Sequence, residues 1–288
     1  MSTFLSGAGQ LSDDECCAAR RDCLYRSWRR SGLGEATAEH LAAEGATVVV
    51  NDLGTFLQGD GESAEPADET VASIRTAGGT AMSHLGDVTD IDYTEKSVAG
   101  YGRVDAAVNF AGVLRDASLT EMAGDDWDTV VDVHLRGHFA LLRTLARHWD
   151  ETADDADRER AFVGVTSPSA LGAAGQANCA AVKAGVLGLV RTASAESPRY
   201  DARASALMPV AYTRTIEDIP EAKRHFGEDN TPPEKVAPVV GSLVSEAAEG
   251  VRGETVRAQG DMVSLVTGPE DESSMVDGLS GRFGELLD

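Results

Sequence analysis

The sequence predicts one α/β domain, a doubly wound parallel β-sheet with helices on both faces. Its 288 residues, 42% of them hydrophobic, can bury one large core. Short β-branched runs, such as residues 47–52, have the length of strands buried on both faces. Helical patterns separate these runs, which is typical of right-handed crossovers between parallel strands. The domain is assigned to residues 31–265, between an atypical segment over 1–30 and an acidic tail over 266–288.

The predicted elements alternate regularly from residue 35 onward. Gly45 ends the first predicted helix, and the pair Gly78 and Gly79 ends the second. Residues 90–102 leave room for only a short helix. In chain order we predict helix 35–44, strand 47–52, a helix that runs to residue 74, strand 80–85, strand 104–109, helix 125–148, strand 161–166, helix 175–196, strand 203–208, helix 233–247 and strand 254–259. This order is typical of dinucleotide-binding domains.

The first thirty residues do not follow this pattern. A dinucleotide-binding fold needs an apolar first strand that leads into a glycine-rich turn, but residues 16–30 are basic and contain three of the four cysteines. Either residues 23–27 form an irregular first strand, or the segment comes from a shifted reading frame upstream of Ser31. The simultaneous change in composition, cysteine content and glycine pattern favours the shifted frame.

The charge balance limits the possible partners. There are 48 acidic residues against 25 basic ones, a net charge of -23, which repels nucleic acid and anionic lipid. We therefore expect no nucleic-acid or membrane partner. Many carboxylates with only four lysines are typical of halophilic proteins in concentrated intracellular salt, and an ordinary acidic protein is the alternative. The sequence contains neither a secretory signal nor an apolar run of about 18 residues, which predicts a cytoplasmic location.

Two glycines and an aspartate indicate a nucleotide cofactor. Gly32 and Gly34 open the first predicted helix, where backbone N–H groups can approach a pyrophosphate. Asp52 ends the next strand, 20 residues after Gly32, a spacing at which a carboxylate binds a ribose 2′-hydroxyl and repels a 2′-phosphate. The alternative is that Asp52 is only a turn residue. The pattern favours NAD as the cofactor, with NADP less favoured.

Residues 175–189, in which Cys179 is followed by Lys183, resemble the active-site helix of the short-chain dehydrogenase/reductase family. The family carries Tyr-x-x-x-Lys at this place, so Cys179 stands where the family has its tyrosine. Trp28 likewise stands where the family has the first glycine of its turn. The resemblance covers residues 31–265. It implies a Rossmann-like enzyme that interconverts a secondary alcohol and a ketone with NAD.

Within the family, four segments are most similar to the 3-hydroxyacyl-CoA dehydrogenase part of peroxisomal multifunctional β-oxidation enzymes and to related prokaryotic reductases: residues 50–54, 109–116, 133–137 and 175–178. They suggest an acyl or alicyclic alcohol as substrate. The alternative is a reductase-like scaffold that binds nucleotide or a partner subunit without turnover, and a damaged product that folds poorly is a third interpretation. Residues 125–148 and 175–196 correspond to helices that pair across a two-fold axis in the family, which implies a homodimer or homotetramer.

The resemblance also implies further cofactor contacts. Asp87 and Val88 match the family's adenine-contacting pair. Pro209 and Thr213 match residues beside the nicotinamide, although Val210 replaces a glycine there. The turn beside the adenosine ribose is matched by Asn109, Ala111 and Gly112.

The same resemblance assigns the candidate catalytic residues, which are Ser167, Cys179, Lys183 and His134. Ser167 would polarise the substrate oxygen, with Ser169 as the second choice. Lys183 would contact the cofactor ribose. His134 takes the place of the family's assisting asparagine, and it either relays protons to the lysine or fills space. We expect no zinc site at His134 and His138, because no glutamate accompanies the pair as in the zinc motif His-Glu-x-x-His.

Cys179 decides how active the site can be. A thiol has a pKa of about 8.5 against about 10 for a phenol, and the Lys183 cation on the same helical face favours the thiolate, so we expect acidity not to limit catalysis. Reach is expected to limit it, because the sulfur is bonded directly to Cβ whereas the phenol oxygen lies a ring further. General acid catalysis worth about 10²–10⁴-fold would then be lost. We expect a strongly impaired site, and the alternative is that Cys179 is a small, inert, half-buried residue.

Overall fold

A computed structural model describes residues 22–26, 32–55, 59, 61–213 and 231–267. The strands in this part of the chain are β1 (Asp22–Arg26), β2 (Thr47–Asn51), β3 (Thr80–His84), β4 (Ala106–Asn109), β5 (Arg160–Val165), β6 (Ala202–Val210), β7 (Thr255–Gln259) and β8 (Met262–Leu265). The α-helices are α1 (Leu33–Ala43), α2 (Glu65–Thr76), α3 (Ile91–Tyr101), α4 (Gly124–Val130), α5 (Gly137–Glu151), α6 (Ala177–Glu196) and α7 (Ala237–Val244).

The strands form one sheet in the order β3-β2-β1-β4-β5-β6-β7-β8. Strands β1 to β7 are parallel, and β8 pairs antiparallel with β7. The chain leaves β1 towards β2 and β3 on one side and then crosses to β4 on the other side, so the winding direction changes between β1 and β4. Ligands of such sheets bind beside the carboxyl ends of the strands at this place. The predicted doubly wound α/β fold is confirmed.

Strand β1 lies in the middle of the sheet, where a first strand is required. Its backbone pairs with β2, from Asp22 opposite Thr47 to Arg26 opposite Asn51, and also with β4. The position agrees with the interpretation of residues 23–27 as an irregular first strand, as far as Arg26. The shifted reading frame concerns the coding DNA and stays a prediction. Trp28 lies outside the described residues.

Two apolar layers cover the sheet. Val48 and Val50 of β2 face one layer, which also contains buried residues of α1, α2 and α7. Val49 faces the opposite layer, together with Trp149 of α5 and Val186 of α6. The alternation along β2 follows from the period of two residues in a strand, and burial on both sides explains why the strand carries three consecutive valines.

Three features differ from the sequence-based predictions. The helix predicted over 125–148 is interrupted by a π-helical segment, Val131–Arg136, between α4 and α5. The helix predicted over 233–247 is broken, because Pro238 lacks an N–H and Ser245 is extended. It consists of α7 between two 3₁₀ turns, Pro233–Lys235 and Glu246–Ala248. Strand β8 had not been predicted, and it lies at the edge of the sheet with all four of its residues exposed.

Candidate active site

Lys183 is held against the carboxyl end of β5. Its Nζ donates a hydrogen bond to the carbonyl oxygen of Val165 at 2.8 Å, and its own carbonyl accepts one from Thr166 Oγ1 at 2.9 Å. Ser167 follows immediately, so the structure brings the predicted lysine and serine to the same end of β5. Burial lowers the pKa of the Lys183 ammonium to about 8. The lysine therefore titrates close to physiological pH.

Ser167 has an extended backbone and caps a short 3₁₀ turn, Pro168–Leu171. Its Oγ accepts a hydrogen bond from the backbone N–H of Ser169 at 3.2 Å. Since that bond uses an oxygen lone pair, the hydroxyl proton can still be donated to a substrate oxygen. Ser169 is itself buried. The geometry supports Ser167 over Ser169 as the hydrogen-bond donor.

Cys179 lies in the first turn of α6 and is only 4% exposed. It packs in a small apolar cluster with Val113, Val130 and Val182. Burial raises the pKa of its thiol to about 11, and the nearby Asp116 carboxylate adds to this rise, while the Lys183 cation opposes it. The expectation that the Lys183 cation would favour the thiolate is therefore wrong in its net effect, because burial outweighs the lysine. The residue is also buried rather than half-buried.

The start of α6 is tied to the loop that follows β4. Asn178 donates to the Arg115 carbonyl at 2.8 Å, and Gln176 donates to the Asp116 carboxylate at 2.7 Å. The backbone N–H of Ala117 donates to the Gly175 carbonyl at 2.9 Å. These bonds fix the position of Cys179 relative to β4. In the sequence, Asn178 and Asp116 belong only to segments that resemble the family, and this resemblance does not indicate that they connect α6 to the loop after β4.

His134 projects from the π-helical segment onto the backbone that follows β4. Its Nε2 lies 2.9 Å from the carbonyl oxygen of Val113 and 3.0 Å from the N–H nitrogen of the same residue. A Cβ on Gly112 would overlap the imidazole ring, so this contact requires glycine at that position. Burial, assisted by the Lys183 cation, lowers the pKa of His134 to about 3. His134 is therefore neutral and packs against the Gly112–Val113 backbone. Both roles considered for it, a proton relay and space filling, stay predictions.

The buried neutral state of His134 makes stability depend on pH. An unfolded histidine titrates near its ordinary value of 6.5, against about 3 in the fold, so stability present above pH 6.5 is lost as the pH falls from 6.5 towards 3. Between pH 7 and pH 5 we expect the chain to lose about 2 kcal/mol more unfolding free energy than His134→Asn does. Urea denaturation at fixed high salt measures the difference. Equal losses in both proteins would contradict the buried neutral histidine.

His138 lies one helical turn after His134 and is completely buried. Its Nδ1 lies 2.6 Å from the His134 carbonyl oxygen, and its Nε2 accepts the Val165 N–H at 3.1 Å. Both ring nitrogens therefore contact backbone groups. Sequence reasoning considered this residue only as a metal ligand, and the pairing with Val165 could not be seen without the fold.

The cofactor residues follow the strand ends on both sides of the winding change. Gly32 caps α1 with an extended backbone, and Gly34 is buried in its first turn. Asp52 follows β2, is buried, and accepts the Gly54 N–H at 2.6 Å. The turn role that was the alternative for Asp52 is therefore present in the structure. It is compatible with binding a ribose hydroxyl, because a carboxylate accepts several hydrogen bonds.

The remaining cofactor candidates lie at the same edge of the sheet. Asn109 Oδ1 accepts the Ala111 N–H at 3.1 Å and so braces the turn after β4. Asp87 is exposed, and Val88 is buried against α5. Pro209 lies near the end of β6, and Thr213 lies three residues beyond that strand.

The site as a whole suits a dinucleotide. It combines a helix N-terminus that can approach phosphates, a carboxylate at the end of the neighbouring strand and a buried cation at the end of β5.

No helix within the described ranges has the length and apolar composition needed to cross a membrane.

Comparison with known proteins identifies relatives of the whole domain. A family model described as enoyl-(acyl carrier protein) reductase matches residues 28–260. The chain is 37% identical over 269 residues to a hydroxyacyl-CoA dehydrogenase of Mycobacterium tuberculosis, which covers 89% of this chain and 83% of that protein. It is 37% identical over 221 residues to peroxisomal multifunctional enzyme type 2 of Drosophila melanogaster, covering 76% of this chain but 36% of that enzyme. A crystal structure of a short chain dehydrogenase from Mycobacterium avium matches with a TM-score of 0.76 and 32% identity, covering 92% of this chain and 94% of that one.

Proposed function

The chain belongs to the short-chain dehydrogenase/reductase family of oxidoreductases, and from this premise we propose that it interconverts a secondary alcohol and a ketone with NAD. The observation that carries the proposal is the convergence of Lys183 and Ser167 at the end of β5. A 3-hydroxyacyl or 3-oxoacyl compound is the substrate class we favour, because a relative at 37% identity is named a hydroxyacyl-CoA dehydrogenase.

The residues of this chain divide the work of cofactor binding. The N-terminus of α1 with Gly32 and Gly34 would hold the pyrophosphate, and Asp52 would accept a hydrogen bond from the adenosine ribose. Lys183 would donate to the nicotinamide ribose with protons that its bond to Val165 leaves available. When bound, NAD supplies the hydride acceptor or, in its reduced form, the hydride donor. Asp52 supports NAD over NADP because its charge repels a 2′-phosphate.

Proton transfer is the weak step of this site. Ser167 can donate its hydroxyl proton to the substrate oxygen, since its Oγ already accepts the Ser169 N–H. The proton that the family's tyrosine exchanges with that oxygen has no comparable carrier at position 179. The Cys179 thiol is short and packed among valines, which keeps its proton away from a substrate oxygen. Burial also raises its pKa to about 11, so the thiolate that alcohol oxidation would need as a base is scarce at neutral pH. We propose that turnover is strongly impaired for this reason.

A ketone panel tests the function directly. NADH binding and oxidation are measured at high salt against 3-oxoacyl thioesters and simple alicyclic ketones, with NADPH in parallel. We expect NADH to bind, NADPH to bind more weakly, and slow reduction of at least one 3-oxoacyl compound. Binding of NADPH in preference to NADH would contradict the role of Asp52, and absence of binding to either nucleotide would contradict the function.

A second candidate function is supported by the burial of Cys179 in its apolar cluster. It is a reductase-like scaffold that binds the nucleotide without turnover. The two functions differ in one result, because a scaffold binds NADH but reduces no ketone even when tyrosine is restored at position 179.

Gly137 tests whether the Val88 loop belongs to the cofactor site. A Cβ on Gly137 would overlap the Val88 side chain, so Gly137→Ala has to move this side chain, which would contact the adenine. We expect the Kd for NADH to rise by about tenfold, the equivalent of about 1.4 kcal/mol. Fluorescence titration measures it. Gly124→Ala is the matched control, because a Cβ there meets no atom within 4 Å, and equal Kd values for the two variants would contradict the assignment.

Assembly and location belong to the same proposal. Helices α5 and α6 form a groove lined by Phe139, Leu142, Leu189 and Tyr200 among others, and Phe139 is 44% exposed. We propose that this groove is covered in a homodimer or homotetramer. We further propose that the enzyme is cytoplasmic and adapted to salt; the adaptation is supported by the net charge of -23, whose self-repulsion salt screens. Sedimentation of the chain and of Phe139→Asp at high salt tests the assembly, and an unchanged mass in the variant would contradict it.

A further inference from the structure

The backbone of Val165 has an unusual set of partners. Val165 is the last residue of β5, and β4 ends opposite the preceding residue, where Asn109 pairs with Gly164. Along β5 the N–H of Ala161 points to the β4 side and that of Thr166 to the β6 side, so the alternation directs the N–H and carbonyl of Val165 to the β4 side. The pairing of Asn109 with Gly164 gives the Val165 N–H the carbonyl of Asn109, the last residue of β4, but no residue of β4 follows to bind the Val165 carbonyl. Two side chains complete the set: His138 accepts the same N–H as a second partner, and Lys183 donates to the carbonyl.

The hydrogen bonds of His138 determine its tautomer. Nε2 accepts the Val165 N–H at 3.1 Å, so this nitrogen carries no proton. Nδ1 then carries the proton and donates it to the His134 carbonyl at 2.6 Å. The ring is fully buried and lies edge to face with Phe162 of β5, with centroids 6.5 Å apart. His138 thus connects the π-helical segment to the end of β5 in one fixed orientation.

Because the N–H and the carbonyl belong to the same residue, the two side chains lie next to each other along β5. The N–H and the carbonyl of Val165 belong to the two peptide groups that meet at its Cα. His138 restrains the first group, the bond from the Thr166 N–H to the Leu207 carbonyl restrains the second, and the carbonyl of the second receives the Lys183 ammonium. We propose that His138 is a positioning residue, which holds the end of β5 so that the Val165 carbonyl faces Lys183. The inference deepens the proposed function and rests on it for its catalytic meaning, although the lysine can be observed without catalysis.

Two variants of nearly equal size separate positioning from packing. In His138→Gln the side-chain oxygen reaches the place of Nε2 and can accept the Val165 N–H. In His138→Asn the shorter amide can still donate to the His134 carbonyl but does not reach Val165. A role in packing alone predicts similar behaviour of the two variants, whereas positioning predicts that only Asn disturbs Lys183.

The readout is the titration of Lys183 by NMR in protein with ¹³C-labelled lysine. The chain has only four lysines, and Lys183→Arg assigns the signal. Since the carbonyl stabilises the charged ammonium, its loss in a buried place lowers the lysine pKa. We expect the midpoint to fall by at least about 0.5 pH units in His138→Asn and to stay within half of that change in His138→Gln. Cys179 and His134, the titratable groups that interact with Lys183, are unchanged in both variants.

His148→Asn is the control, because His148 lies on the same helix and its side chain takes part in none of these hydrogen bonds. A midpoint in His138→Asn that is unmoved or raised would overturn the proposal, and so would equal shifts in Asn and Gln. If His138→Asn does not fold, the proposal is tested in the unmodified chain. A scalar coupling across the hydrogen bond between the Val165 amide and His138 Nε2 must then be present, and its absence would overturn the proposal. Failure of NADH binding in the ketone panel leaves this titration unaffected, so the two proposals fail separately.

Discussion

Cys179→Tyr is expected to raise the rate of ketone reduction by about 10²–10⁴-fold, the usual contribution of a positioned general acid. The start of α6 is already held by hydrogen bonds from Gln176 and Asn178, so the backbone that would carry the tyrosine is in place. Lys183 lies four residues further on the same helical face, where its cation lowers the pKa of a phenol. Steady-state kcat/KM for a 3-oxoacyl substrate with NADH measures the gain.

Cys179→Phe is the matched control, since it adds the ring and withholds the hydroxyl. In both variants the aromatic side chain has to lie outside the space among Val113, Val130 and Val182 that the thiol occupies. A similar loss of stability in both, with activity gained only by tyrosine, would identify the hydroxyl as the missing group. Equal rates in the Phe and Tyr variants would refute the proposed reason for the impairment.

Ser167→Ala, introduced together with Cys179→Tyr, is expected to lower kcat by about 10²–10³-fold, as removal of one donor to a reacting oxygen does. The Oγ of Ser167 accepts the Ser169 N–H, which leaves its proton for the substrate. The bond also orients the hydroxyl before substrate arrives. Single-turnover reduction of the ketone under saturating NADH isolates the chemical step.

Ser169→Ala in the same background is the control for this experiment. Its side chain is buried and only its backbone N–H takes part in the bond to Ser167, which the substitution keeps. We expect a change in kcat of less than about fivefold, within the range of an indirect effect. A larger loss in Ser169→Ala than in Ser167→Ala would reverse the assignment of the two serines.

The fold was predictable because its signals are local and repeated. The run of three valines in β2 reads as a strand buried on both faces, and both faces are indeed covered. The π-helical segment Val131–Arg136 was not predictable, because a change from one hydrogen-bond register to the next has no compositional signature. Strand β8 was missed because its residues pair only at an edge and bury no face.

The site was predictable in its residues but not in its electrostatics. Spacing alone predicts that the Lys183 cation lowers the pKa of the Cys179 thiol, and the lysine does oppose the rise of that pKa. Its net result depends on burial by Val113 and Val130, which come from distant parts of the chain. The same limit applies to His138, whose partner Val165 is 27 residues away in sequence. Contacts between distant segments decide both cases.

The shortness of β4 has a consequence for the space beside the end of β5. Asn109 ends that strand by turning its side chain back onto the Ala111 N–H. If the ladder with β5 continued by one residue, the Ala111 N–H would compete for the Val165 carbonyl, and the lysine would be displaced from it. Because β4 has four residues and β5 has six, the end of β5 keeps room for the Lys183 side chain. Lengthening β4 would close this space and displace Lys183, although the lysine itself had not been substituted.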